Sequence, residues 1–180
     1  MKMQDSREIR AAREVVFNAI VDPEVLKECI AGAESVNGNV DDGYEAVVTQ
    51  KVGPVKATFK GQVTISDIVG SEALTITGSG KGGAAGFANG SAVVTLSDLG
   101  DAVTKLSYEI EVKIGGKLAQ IGSRIIEAFA KKMADKFFTQ LQDYLELEVE
   151  EETEKDDLTE SDTTANEGRA KWYKRMIGKA

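Results

Sequence analysis

The sequence predicts an α+β fold in which a curved antiparallel sheet of six to seven strands surrounds one long C-terminal helix, with two short helices after the first strand. Three observations on the 180 residues predict this fold. Apolar and polar residues alternate in segments between residues 44 and 114, apolar residues recur at steps of three or four from Leu118 onward, and both prolines precede residue 55. Alternation is typical of strands with one buried face, and steps of three or four are typical of a helix with one buried face.

The first elements follow from short local signals. Residues 2–9 are predicted to form the first strand, although their apolar alternation is weak, and residues 11–21 a short amphipathic helix. Asp22 then supplies an N-cap and Pro23 suits the first position of a second helix. Gly32 suits a left-handed cap after that helix. Two short helices therefore follow the first strand.

The middle of the chain is predicted to form the rest of the sheet. In residues 55–65 every odd position is apolar or glycine and every even position is polar, which indicates one buried and one wet face. Residues 104–114 alternate in the same way. The predicted strands cover 44–52, 54–69, 72–79, 86–97 and 102–114. The inner face of the last strand carries Leu106, Tyr108, Ile110, Val112 and Ile114.

One long helix is predicted after these strands. Its apolar stripe consists of Leu118, Ile121, Ile125, Phe129, Met133, Phe137, Leu141 and Tyr144. At 1.5 Å per residue, a helix of roughly 30 residues is on the order of 45 Å long, enough to cross the concave face of a sheet.

Charge is distributed unevenly along the chain. Residues 1–141 hold 18 acids and 16 bases, residues 142–168 hold 12 acids and one base, and residues 169–180 hold five bases and no acid. This composition break predicts a folded domain over residues 1–149, an acidic flexible linker over residues 150–168, and a basic, aromatic C-terminal segment.

Composition excludes several classes of site. The chain has no histidine and one cysteine, so it has no Ser-His-Asp triad, no histidine-ligated metal and no internal disulfide. We expect neither a metal site nor a covalent cofactor, and we interpret Cys29 as a small core residue. The nearly neutral domain predicts no nucleic-acid partner. No apolar run reaches the ~18 residues of a membrane-spanning helix, and the first residues lack the apolar core of a signal peptide, which predicts a cytoplasmic location.

The glycine cluster at residues 78–83 matches G-x-G-x-x-G, the spacing of a dinucleotide-binding loop. That loop requires a following helix, but residues 87–96 are predicted to form a strand. We interpret the glycines as a bulged, sharply bent connection between strands. A mobile glycine-rich lip over a cavity mouth is the alternative.

Four ordered motifs carry a family resemblance: CIAG at 29–32, GPVKATFKG at 53–61, GKGGAAGF at 80–87 and GGKLAQIGSR at 115–124. This set resembles the CoxG family, named for the G subunit of carbon monoxide dehydrogenase, within the START/Bet v 1-like (SRPBCC) superfamily. The resemblance covers roughly residues 1–141 and departs from the family at Ala31, where proline is common. It implies a helix-grip fold for residues 1–149, which agrees with the architecture predicted above.

The resemblance also implies a function. It predicts a non-enzymatic accessory protein that recruits a molybdenum-containing hydroxylase of the carbon monoxide dehydrogenase type to the membrane. It further implies a pocket that carries an isoprenoid quinone. The alternatives are an enzyme of the same superfamily, such as a cyclase or hydrolase, and a general lipid-binding module. The inner strand faces are almost entirely apolar, with Tyr108 the best titratable candidate, which favours binding over turnover.

An apolar cavity between sheet and helix is the predicted ligand site. Small residues on the strands either leave room for this cavity or let the backbone pack tightly, and the sequence does not distinguish the two. The predicted cavity residues are Phe17, Leu26, Ile30, Ala57, Phe59, Gly61, Phe87, Tyr108, Leu118, Ile121, Ile125, Phe129 and Met133.

The C-terminal segment is predicted to tether the domain peripherally to the cytoplasmic membrane. Cations mixed with tryptophan and tyrosine favour a membrane interface. Association of the segment with the acidic linker, or docking to a partner protein, is the alternative. The predicted tether residues are Arg169, Lys171, Trp172, Tyr173, Lys174, Arg175, Met176, Ile177 and Lys179.

Overall fold

Seven antiparallel strands and one long helix form the fold in the computed structural model, which describes residues 1–154, with side chains through Glu146. The helices are α1 (Arg13–Val21), α2 (Pro23–Cys29) and α3 (Ser123–Glu154). The strands are β1 (Lys2–Ile9), β2 (Ala33–Asn39), β3 (Gly43–Val52), β4 (Val55–Val69), β5 (Ala73–Lys81), β6 (Phe87–Gly100) and β7 (Val103–Gly115). Two short 3₁₀ segments, Gly83–Ala85 and Gly116–Ile121, follow β5 and β7.

The strands form one curved sheet in the order β1-β7-β6-β5-β4-β3-β2. Every neighbouring pair is antiparallel. Strand β1 pairs with β7 at one edge of the sheet, and β2, the next strand along the chain, forms the opposite edge. The predicted α+β architecture is therefore confirmed, with seven strands and two short helices after the first of them.

The start of α2 follows the predicted capping pattern. The carboxylate of Asp22 accepts hydrogen bonds from the backbone N–H groups of Glu24, at 2.8 Å, and Val25, at 3.3 Å. Pro23 occupies the first turn. Gly32 adopts a φ of +78°, and a Cβ there would overlap the carbonyl oxygen of Thr49, so only glycine fits this bend.

Strand β2 is missing from the predicted strands. Its seven residues include a single buried side chain, Val36, and its pairing with β3 shifts register between Ala33 and Ser35. An edge strand with one buried residue shows no alternation, so the sequence pattern does not reveal it.

The long helix begins five residues later than predicted. Leu118 and Ile121 lie in the 3₁₀ segment, and Gly122 adopts a φ of +101° before α3 starts at Ser123. Ile125, predicted in the buried stripe, is 46% exposed, and Ile126 is buried instead. A 3₁₀ segment has three residues per turn, so the stripe does not continue in phase from one helix into the other.

The helix also continues beyond the predicted domain end. The chain divides into two units, Met1–Glu146 and Leu147–Ala180, and α3 reaches Glu154. Residues 150–154 of the predicted linker are therefore helical, because glutamate is a good helix former and extending an existing helix is easier than starting one. The rest of the predicted linker and the C-terminal segment lie outside the described residues.

Helix α3 is packed unevenly along its length. Leu141 is 0% exposed and Leu145 is 2% exposed, whereas Phe129 and Met133 are only half-buried. The later turns of the helix are therefore part of the core, and the earlier turns leave space beside the sheet.

Candidate functional site: an apolar cavity between sheet and helix

A cavity of about 470 Å³ lies between the concave face of the sheet and α3. From the sheet side it is lined by Met1, Met3, Ile76, Ala92, Val94, Leu106, Tyr108, Ile110, Val112 and Ile114. From the helices it is lined by Ile20, Leu26, Ile126, Phe129, Ala130, Met133, Ala134, Phe137 and Phe138. Its volume falls within the range of about 300–1,000 Å³ that ligand pockets occupy.

Strand alternation and helical periodicity place these side chains. On β7 every second residue from Leu106 to Ile114 points to the same face, and register pairs β7 with β6 and β1 so that Ala92 and Met3 both lie opposite Ile110. On α3 the lining residues recur at steps of three and four from Ile126 onward. One apolar face of the sheet thus meets one apolar face of the helix.

Small side chains leave part of the space between the two faces unfilled. Ala92 on the sheet and Ala130 and Ala134 on the helix line the cavity beside larger residues. Since a well-packed core has few voids larger than a water molecule, a space of this size requires such small residues. The choice left open by the sequence, between a cavity and tight packing, is decided in favour of the cavity.

Tyr108 carries the one polar side chain among the lining residues. Its ring stacks on Phe138, with centroids 5.2 Å apart and planes 17° apart. Burial raises the pKa of the Tyr108 hydroxyl, the carboxylates of Asp5 and Asp135 raise it further, and the Arg7 guanidinium lowers it. The hydroxyl therefore keeps its proton at neutral pH, and it can donate a hydrogen bond but is not a general base.

Beside Tyr108, an ion pair joins the edge of the sheet to the helix. The guanidinium of Arg7 on β1 contacts the carboxylate of Asp135 on α3 and lies 3.0 Å from that of Asp5. These side chains are between 37% and 46% exposed, so the pair contributes little to stability. Its geometry nevertheless connects β1 to α3 next to the cavity.

Four of the predicted cavity residues line the observed cavity: Leu26, Tyr108, Phe129 and Met133. The other nine are not among its lining residues. A role in ligand binding stays a prediction for the four residues that line the cavity. The position of the cavity argues against such a role for the nine that do not: Phe17, Ile30, Ala57, Phe59, Gly61, Phe87, Leu118, Ile121 and Ile125.

The nine residues are displaced for identifiable reasons. Ala57, Phe59 and Gly61 lie on the half-buried face of β4, but the cavity lies mainly over β5, β6, β7 and β1. Phe87 lies on the outer face of the sheet, the face away from α3, because the buried residues of β6 have even numbers.

The remaining displaced residues belong to the helices and their connections. Ile121 and Ile125 both lie close to Gly53 in the β3–β4 turn, and Leu118 is buried in the 3₁₀ segment. On α1 the lining residue is Ile20 rather than Phe17. Ile30 follows the end of α2 as its C-cap, where helical periodicity no longer fixes its direction.

Several lining residues were missed although the sequence carries a signal for them. Ile110, Val112 and Ile114 are on the predicted inner face of the last strand, and Phe137 is in the predicted helix stripe. Met3 on β1 carries no such signal, because that strand alternates weakly.

The interpretation of the glycine cluster as a bulged connection is wrong for residues 78–81, which lie within β5 and pair in unbroken register with β4 and β6. Only Gly82 and Gly83 lie in the connection: a 3₁₀ turn spans Gly83–Ala85, and strand β6 comes next in place of the helix that a dinucleotide loop requires. The register shift between β4 and β5 lies elsewhere, between Ser66 and Val69.

Other chemistry is sparse in the part of the chain that the structure describes. Cys29 is 1% exposed, and burial, together with the charge of Glu28, raises the pKa of its thiol to about 12. A thiol with that pKa is neutral at physiological pH and unreactive. Within residues 1–154, no group of acidic or cysteine side chains is arranged to hold a metal ion, and no helix is both long and apolar enough to cross a bilayer.

Comparison with known proteins gives a family and a set of structural relatives. The model of the CoxG family, the G subunit of carbon monoxide dehydrogenase, matches residues 6–146. No curated protein matches the chain significantly. A solved structure of a conserved protein from Geobacillus kaustophilus has 29% identity and a TM-score of 0.74, covering 79% of this chain and 93% of its own.

More distant solved structures share the fold alone. A START superfamily protein from Mycobacterium smegmatis has 12% identity and a TM-score of 0.61, over 81% of this chain and 97% of its own. The ZhuI aromatase/cyclase from Streptomyces sp. R1128 has 10% identity and a TM-score of 0.63, over 83% of this chain and 95% of its own.

Proposed function

Because this chain belongs to the CoxG family of carbon monoxide dehydrogenase, we propose that it is a non-enzymatic accessory protein of a molybdenum-containing hydroxylase. In this proposal it binds an apolar ligand, such as an isoprenoid quinone, in the sheet–helix cavity and recruits the hydroxylase to the cytoplasmic membrane. The family and the START-like fold support a ligand-binding accessory role in general. The quinone, the membrane and the hydroxylase partner are the proposed refinements of that role.

The apolar cavity is the observation that carries the proposal. Of its lining side chains, all but Tyr108 are hydrocarbon or thioether. A prenyl chain loses contact with water in such a site, and each buried methylene contributes about 0.8 kcal/mol. The Tyr108 hydroxyl, which keeps its proton, is suited to donate a hydrogen bond to a quinone carbonyl. One polar group in an apolar site orients a ligand without providing acid–base chemistry.

The ligand is identified by native mass spectrometry of the purified chain, followed by organic extraction. We expect a bound lipid-like molecule that dissociates on extraction and whose absorption spectrum changes on reduction. A chain that carries no apolar molecule and does not bind decylubiquinone would contradict the ligand half of the proposal.

An enzyme of the cyclase or hydrolase type is the second candidate, and the likeness to the ZhuI aromatase/cyclase fold is the observation that favours it. We expect no turnover of ester or polyketide substrates by the isolated protein, because the cavity offers no group that acts as a base. Turnover that is lost in the Tyr108→Phe variant would establish the enzyme instead.

Membrane recruitment is proposed to use the C-terminal segment at residues 169–180. Its five cations contribute on the order of 1 kcal/mol each near an anionic leaflet, before the cost of ordering. We expect the full chain to sediment with anionic vesicles and a chain ending at Gly168 to sediment less, with the difference reduced by added salt. Equal sedimentation of both chains, or binding of the full chain that ignores salt, would refute the tether.

A further inference from the structure

One end of the sheet carries cations without any acid, although acids outnumber bases in residues 1–141 as a whole. Three segments, 47–61, 79–91 and 112–126, contain seven bases and no acid, whereas the remainder of residues 1–141 contains nine bases and 18 acids. We call these three segments together the basic end. Its cations, all exposed, are Lys51, Lys56, Lys60, Lys81, Lys113, Lys117 and Arg124.

The fold brings the three segments together. Turns β3–β4 and β5–β6 and the connection from β7 to α3 all lie at the same end of the antiparallel sheet. A Cβ at Gly53 would be 3.3 Å from the Ile121 side chain, so the first turn contacts the last connection. A Cβ at Gly86 would overlap the carbonyl oxygen of Gly115, so the other two segments are in backbone contact.

Like charges face each other within this end. Lys51 is directly opposite Lys56, and Lys60 is directly opposite Lys81. Like charges in opposite positions of an antiparallel pair destabilise the sheet. The ion pairs found among the described residues include none of the seven cations. Of the acids that border this end, Glu34 accepts a hydrogen bond from Thr49 and Glu111 pairs with Lys2, while Glu127 follows Arg124 by three residues on α3. The opposed lysines therefore do not serve folding stability, and their charge is suited to an anion outside the domain.

Two large apolar side chains are exposed within the same end. Phe87 is 43% exposed and continues the row of Lys60 and Lys81 across the outer face of the sheet. Ile125 is 46% exposed on the first turn of α3, next to Arg124 and close to Gly53. Exposed apolar side chains among lysines are the combination that binds the interface of an anionic bilayer.

The cavity extends to the basic end. Ile114 on β7 and Ile126 on α3 both line it. Ile114 directly follows the exposed Lys113, and Ile126 directly follows the exposed Ile125. A bilayer at this end would therefore lie next to the cavity, which is where an apolar ligand would enter or leave without crossing water.

We propose that the basic end is a second membrane-docking site, which places Phe87 and Ile125 in the interface of an anionic bilayer while the seven cations contact lipid headgroups. This site rests on the proposed function, because it supplies the cavity with a ligand from the lipid phase. It uses other residues than the C-terminal segment. The basic end would orient the domain relative to the bilayer, whereas the C-terminal segment would provide only a tether. An acidic protein surface would match the cations but would leave the two apolar side chains without a partner.

Sedimentation of the full-length chain with vesicles tests the charge requirement. The Lys60→Gln/Lys81→Gln double variant removes one opposed pair, so its fold is expected to be retained. Its affinity for vesicles of phosphatidylcholine with 30% phosphatidylglycerol is expected to fall by roughly 30-fold, about fivefold for each lysine. The matched control is Lys27→Gln/Lys105→Gln, which changes two exposed lysines outside the basic end and is expected to retain at least a third of the parent affinity. Equal losses in both double variants would overturn the site.

Tryptophan fluorescence tests insertion independently. In a full-length Trp172→Phe background, the Phe87→Trp variant is expected to shift its emission to the blue with anionic vesicles and to be quenched by brominated lipid chains. The control is Val93→Trp, which lies six residues along β6 on the same outer face, roughly 20 Å away. Quenching of the control as strong as that of Phe87→Trp, or quenching of neither, would overturn the proposal.

Ligand binding separates this proposal from the proposed function. The lysine variants are expected to bind decylubiquinone in solution as the parent does, because the mutated side chains lie on the outer face. If the parent fails to bind decylubiquinone but the vesicle results hold, the docking site stands and the proposed ligand is refuted. If the parent binds decylubiquinone and the lysine variants sediment like the parent but lose binding to polyglutamate, the basic end is a protein-docking surface and the membrane proposal is refuted.

Discussion

The Ala134→Trp substitution is expected to lower the affinity for decylubiquinone on the order of a hundredfold, while the protein remains folded. Ala134 lines the cavity from α3, where its methyl group leaves space that an indole would fill. A ligand excluded from that space loses about 3 kcal/mol of apolar burial, which corresponds to that factor. Binding is measured by isothermal titration calorimetry, with the melting temperature as the check of folding.

The matched control for this prediction is Ala128→Trp. Ala128 lies on the same helix, six residues earlier, and is exposed, so the same indole is added outside the cavity. The variant is expected to bind decylubiquinone as the parent does. The overpacking cost in Ala134→Trp is about 1–3 kcal/mol, which lowers the melting temperature without unfolding the chain. Unchanged affinity in a folded Ala134→Trp variant would show that the ligand binds elsewhere.

The Leu141→Ala substitution is expected to lower the free energy of unfolding by about 3–5 kcal/mol. Leu141 is 0% exposed, and removing a fully buried leucine side chain loses its transfer free energy and leaves a cavity. The comparison variant is Met133→Ala, 8 residues earlier on the same helix face, which is expected to cost about 1 kcal/mol because its side chain is half-buried and already borders empty space.

Urea unfolding followed by far-ultraviolet circular dichroism measures both variants. The expected order is a large shift of the midpoint for Leu141→Ala and a small one for Met133→Ala, with unchanged slopes. Costs of similar size would mean that the two parts of α3 are equally packed and that the cavity is closed in solution. The comparison thus tests the uneven packing of the helix directly.

The architecture was predictable because its signals are local. Strand β4 alternates over most of its length and α3 shows a continuous apolar stripe, so both elements can be read from spacing alone. Strand β2, with only Val36 buried, carries no such signal. The 3₁₀ segment before α3 was missed for a related reason: Leu118 and Ile121 match helical spacing by chance across a change of helix type.

The position of the cavity was predictable only in part. Alternation identifies the inner face of each strand, and Gly61 does lie on the half-buried face of β4. It does not identify which strands α3 crosses, because that depends on the direction in which Gly122 turns the chain after β7. The sequence therefore predicts a cavity between sheet and helix and places Tyr108 of β7 in its wall, but it adds three residues of β4 and omits Ile76 of β5 and most of the lining residues of β6 and β7.

The methionines of the cavity wall have a consequence for selectivity. Met1, Met3 and Met133 line one continuous space, and methionine has an unbranched, flexible and polarizable side chain that adapts to irregular shapes. A wall of this kind adjusts to its contents, so it discriminates between guest molecules by their hydrophobicity and length more than by their outline. We therefore expect homologous molecules with tails of different length to compete for the space, with occupancy set by tail length together with abundance in the cell.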